Sequence, residues 1–279
     1  MSWLERFMDA TAWEIAEPRA YGAFHLIFTF VGIALCIFLA WKLRNISERG
    51  NRAVLLTVGI FLVITEIYKQ FFYFYHMENN EYAFWIFPFQ LCSVPMYLCI
   101  IASLIKPGKV QTGMYGFMTT FNLLGGLMAF IEPSGILHEH LTLLLHAFVW
   151  HMSLVFIGFY LIASGRCAKS KRDYKYAVFT FLSLALLAFI INLILWVPSD
   201  GSINMFFVGP RNSSLVVFKW ISEKFGWYVS TLLYLPTVSL GAYIIFLPVH
   251  LYYKKKAGKD RPTAPQIEEE NKIPDNSLV

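Results

Sequence analysis

The chain has 279 residues, 57% hydrophobic, 18% aromatic and only 15% charged, with a net charge of +5 and a mean hydropathy of +0.53. Soluble domains carry about 25% charged residues, so this composition excludes a water-soluble core. The basic residues stand in short stretches between apolar runs and form no patch, which points away from a nucleic-acid partner and toward membrane topology.

Residues 1–20 hold Glu5, Asp9, Glu14 and Glu17 and lack a cleavable signal-peptide pattern, so an extracytoplasmic amino-terminal segment is expected to remain on the chain. A span needs about 20 predominantly apolar residues. Seven stretches reach that length: Tyr21–Leu43, Val54–Tyr75, Phe84–Ile105, Val110–Pro133, Leu141–Gly165, Tyr176–Val197 and Trp227–Tyr253. The expected fold is therefore an all-α polytopic membrane helix bundle with seven transmembrane helices over residues 21–253, in the cell membrane. Lys and Arg number 17 after the odd-numbered spans and 5 on the opposite side. Positive residues are retained in the cytoplasm, so the amino terminus is expected outside and the carboxyl terminus inside. Residues 254–279, polar and proline-containing, read as a disordered cytoplasmic tail.

Ionisable groups within spans are costly and by default mark functional sites. In the second span Glu66, Lys69, Gln70 and Tyr73 follow helical spacing and share a face, either as a structural Glu66–Lys69 ion pair or as substrate-facing groups. In the third, Pro88 and Pro95 bracket Gln90 and Cys92, and the distorted helix they imply can present the thiol to a cavity. In the fourth, Asn122, Gly125, Gly126 and Ala129 form a stripe suited to close packing. In the fifth, His146 and His151 lie five residues apart, about 140° around the axis, and cannot both face one ligand. Glu66, Cys92, Asn122 and His151 all fall roughly 12–17 Å below the outer boundary, one polar layer near the midplane. His138 and His140, beside Glu132 and Glu139, read as a solvated loop cluster. Cys36, Cys92, Cys99 and Cys167 show no CxxC spacing, so reduced thiols are expected, with neither a metal site nor a cofactor. Walker, dinucleotide and HExxH motifs are absent from the sequence.

The segments FPFQLCSVPMYLC, the glycine-containing fourth span ending in IEP, AFVWH and INMFFVGPRNSS together resemble the YwaF and transmembrane protein 164 family of seven-helix proteins, over about residues 50 to 250. An LPLxxC-like element matches at Phe87–Cys92 and the intramembrane histidine at His151. The usual TPD stands here as Ile131-Glu132-Pro133. The resemblance implies lipid acyl transfer or acyl-ester hydrolysis on a phospholipid or fatty acyl substrate, with Cys92 as nucleophile and His151 as base. Glu66, Gln90 or Asn122 would then orient the base or donate to the oxyanion. The competing reading is a transporter or receptor-like binder whose midplane pocket of Glu66, Lys69, Gln70, Gln90, Asn122 and His146 holds a solute.

Overall fold

The structure, a computed structural model, describes residues 1–259. Ser2 opens α1 (Trp3–Thr11) with a reciprocal capping box to Glu5, satisfying two amides that a helix start would leave orphaned. After Gly22 comes α2 (Ala23–Leu43). Ser47 then caps α3 (Glu48–Phe72), which runs into a π-helical turn at Tyr73–Met77. A 3₁₀ turn at Phe84–Ile86 and an irregular segment precede α4 (Val94–Leu104). Helices α5 (Lys109–Thr119) and α6 (Phe121–Ile131) meet at a kink on Thr120. The long helices α7 (Leu141–Ala163) and α8 (Lys171–Ile194) follow, the second capped by a Ser170–Asp173 box. A loop with a 3₁₀ turn at Met205–Phe207 leads to α9 (Val216–Phe225), and α10 (Trp227–Lys259) closes the fold.

Among the described residues six helical segments are long and apolar enough to cross a membrane: α2, α3 with its π turn, α5 with α6, α7, α8 and α10. The stretch expected as the third span departs from a continuous helix. Residues 87–93 are not helical, and α4 has 11 residues, about 16 Å long at 1.5 Å per residue and too short to span alone. The cause is the two prolines. Pro95 sits in the first turn of α4, where no amide donor is missed, and Pro88 forces Phe87 to be extended (ψ 133°). The first residues of the expected disordered tail are helical. Lys254–Lys259 extend α10, as Lys and Ala favour helix, and the remainder of that tail lies outside the described residues.

Helix α2 lies along α7, α3 along α4, α5 along α8 and α6 along α7. A ladder of buried rings runs through the centre, Phe117 to Phe121 (5.6 Å), Phe121 to Phe181 (4.5 Å) and Phe181 to Phe206 (6.3 Å between centroids). The small-residue stripe of α6 divides in two. A Cβ on Gly126 would meet Val155 and Leu154 of α7 at 3.2 and 3.3 Å, so glycine sets that approach, whereas Gly125 has nothing within 4 Å.

Candidate functional site

The second half of α3 supplies the first group. Lys69 Nζ lies 2.8 Å from Glu66 Oε1, and Gln70 Nε2 donates to the same oxygen at 2.7 Å. Gln70 Nε2 also donates to the Ile86 carbonyl at 2.8 Å, tying α3 to the segment that leads to Cys92. Glu66 is 4% exposed, and its Oε2 and the Oε1 of Gln70 have no protein partner among the described residues. Two buried acceptors are thus left without a protein donor beside the Lys69 ammonium.

The break in the third apolar stretch supplies the second group. Its freed carbonyls are taken up by neighbours, Pro88 O by the Tyr97 hydroxyl at 2.9 Å and Cys92 O by Trp150 Nε1 of α7 at 3.0 Å. Irregular backbone survives at membrane depth only where such partners exist. Cys92 is the one cysteine that is not buried. Cys36, Cys99 and Cys167 are. Lys69 and Glu66 are both close enough to act electrostatically on the Cys92 sulfur.

On α7 the two histidines diverge as their spacing requires. His146 stacks on Trp150 (centroids 5.4 Å apart), and its Nε2 has no partner. His151 Nδ1 lies 2.8 Å from the Ala147 carbonyl. A carbonyl only accepts, so Nδ1 carries the proton and Nε2 the lone pair, the tautomer a general base needs. Lys69 lies within electrostatic range of both rings.

Two residues of the expected pocket serve the scaffold. Both amide hydrogens of Asn122 are spent on the Met118 and Leu154 carbonyls, fastening α6 to α7. Gln90 reaches the other way, donating to Asn204 O and accepting from Phe206 N–H, each at 3.3 Å. The turn it grips has left-handed backbone at Phe206 (φ 57°) and Phe207 (φ 55°), strained for side chains of this size. Asn192 of α8 holds that turn, accepting from Met205 N–H at 2.7 Å and donating to Met205 O and Val208 O at 3.0 and 2.7 Å. Sequence reasoning missed Asn192, although a lone Asn in an otherwise apolar span was a usable signal.

His138 and His140 are not the solvated pair expected from sequence. His140 is 5% exposed, its Nε2 lies 3.3 Å from that of His76, and His76 Nδ1 meets Asp9 of α1 at 2.8 Å. With Thr142 Oγ1 donating to Thr11 O and Thr11 Oγ1 2.8 Å from the Tyr68 hydroxyl, this network fastens α1 across the ends of α3 and α7. The chain fold, and not the HEH spacing, sets these partners. Among the described residues no group of three or more His, Cys, Asp or Glu side chains is placed to hold a metal ion.

Helix α3 thus carries a carboxylate and an ammonium, α7 two imidazoles, and the broken stretch the half-buried Cys92, whose carbonyl Trp150 ties to α7. Compared with known families, residues 20–247 match the model of the TMEM164 family, a longer stretch than the motifs alone covered. No curated protein and no solved structure matches the chain.

Proposed function

The chain belongs to the TMEM164 family and is an integral multi-pass membrane protein, and from that premise we propose that it is a membrane-embedded acyltransferase or acyl-ester hydrolase acting on lipids. In this reading α4 and the irregular segment before it complete a seventh crossing, with the amino terminus outside and the carboxyl terminus cytoplasmic. The observation that carries the proposal is the place of Cys92, half-buried where the other three cysteines are buried, in a loop fastened to the helix that bears His151.

The chemistry follows from those groups. His151 Nε2 takes the thiol proton, and the thiolate attacks the carbonyl carbon of an acyl ester. The tetrahedral oxyanion collapses with loss of the alcohol, which takes the proton from the imidazolium, and a thioester remains on Cys92. A second hydroxyl, from an acceptor lipid or from water, is deprotonated by the same imidazole and attacks the thioester. This releases a new ester or an acid and returns the proton to the thiol. Candidate oxyanion donors are the spare hydrogens of Lys69 and the Cys92 N–H, which no carbonyl takes up among the described residues. The Lys69 ammonium also favours the thiolate by its charge.

The second reading, a solute-binding transporter, has its own support in the unpartnered Glu66 Oε2, Gln70 Oε1 and His146 Nε2. Turnover of an acyl phospholipid by the purified protein separates the two. Cys92→Ser is expected to keep the fold and lose nearly all turnover, and His151→Ala to lower it by about 10²–10⁴. The double variant should be little worse than either, because the two residues act as a unit. His146→Ala should be milder. Undiminished lipid turnover in Cys92→Ala would remove the acyl-enzyme route and favour the transporter.

A further inference from the structure

The bundle carries a groove of about 380 Å³ between α8 and α10, within the size range of ligand sites. Its walls are Leu182, Leu186 and Phe189 on one side and Tyr228, Leu232 and Leu235 on the other, and Val208 lines it as well. Both walls belong to helices apolar enough to span, so the groove faces hydrocarbon. Helix α9 ends two residues before α10 begins, at the same end of the bundle as Tyr228. It exposes Val216, Val217 and Trp220 and carries Lys219 and Lys224, with Lys224 Nζ 5.2 Å from the centre of the Trp220 ring. An apolar face with lysines beside it is the pattern of a helix lying in the headgroup layer, where ammonium groups reach lipid phosphates. Val208 ends the turn that Gln90, in the same irregular segment as Cys92, grips. Its carbonyl is held by Asn192, and the turn it ends passes through Phe206 to Gln90, two residues from Cys92.

We propose that this groove holds one acyl chain of a phospholipid, with Lys219 and Lys224 meeting its phosphate. The assignment rests on the lipid-acyl reading above and says where that lipid sits, its chain entering sideways from the membrane between α8 and α10. Apolar walls fit the chain. The two lysines suit an anionic headgroup at that end, and because a fatty-acid carboxylate is an anion as well as a phosphate, the fatty-acid arm of the test distinguishes the two sources.

The test is photolabelling of the full-length protein in lipid nanodiscs with a phosphatidylcholine that carries a diazirine midway along one chain, followed by mapping of the adducts. Adducts are expected to concentrate in residues 182–189 and 228–235 and to fall severalfold in Leu186→Trp and Leu232→Trp, which crowd the groove from exposed wall positions. Lys219→Gln with Lys224→Gln should lower labelling by the phospholipid, and a free fatty acid with the same diazirine should label these segments several times less. Adducts spread evenly over other lipid-facing helices such as α2, or unchanged by the two tryptophans, would overturn the groove assignment. Equal labelling by the fatty acid, or insensitivity to the lysine changes, would overturn the phospholipid assignment. Labelling needs no turnover, so its persistence in Cys92→Ser separates the fate of the groove from that of the catalytic reading.

Discussion

Glu66 is buried, and its charged partner among the described residues is Lys69, at 2.8 Å with a side chain 20% exposed. Removing one member of such a pair leaves the other uncompensated, at a typical cost of roughly 3–5 kcal/mol when buried. Glu66→Gln is therefore expected to lower accumulation and thermal stability more than Glu66→Gln combined with Lys69→Met, read by fluorescence-detected size exclusion of heated samples. Equal behaviour of single and double variants would mean that the charges are not coupled. Because Lys69 also acts on Cys92 and on both histidines, a stable double variant that has lost turnover would separate a role in chemistry from one in folding.

Among the elements, the turn at 203–208 is the one that Gln90, two residues before Cys92, grips. Two left-handed phenylalanines would not hold without compensation, and Asn192 supplies it with three hydrogen bonds. Asn192→Ala should destabilise the protein by roughly 2–4 kcal/mol, since it strands the Met205 N–H and two carbonyls in the core. The check is a thermal melt of the alanine variant against the parent protein. An alanine variant melting like the parent would refute the clamp. The long helices were legible in the sequence because bilayer thickness sets their length, and the α3 polar face because helical spacing sets which residues meet. The complete break before α4 was not. Pro88 and Pro95 announce a distortion, but its extent depends on distant partners, Gln70 for Ile86 O, Tyr97 for Pro88 O and Trp150 for Cys92 O. The same holds for Asp9 and His76, which meet only once α1 folds across the bundle.

At the scale of the whole molecule, α1 and α9 lie at one end and the lysine-rich end of α10 at the other, as the alternation of the helices requires. From the 17-to-5 bias in basic residues we propose an orientation with α1 and α9 outside. A reporter fused after Val279 should be cytoplasmic and one inserted near His138 external. An external carboxyl terminus would reverse the side from which the thiol is reached. The central claim, acyl transfer through Cys92, is tested most directly by trapping its intermediate. The purified protein is mixed with an acyl phospholipid, quenched in acid within a single turnover, and digested for mass spectrometry. The account predicts an added acyl mass on the peptide containing Cys92, released by neutral hydroxylamine as a thioester is, and much reduced in His151→Ala. Lipid turnover with no adduct on Cys92, or with the adduct on another residue, would contradict it.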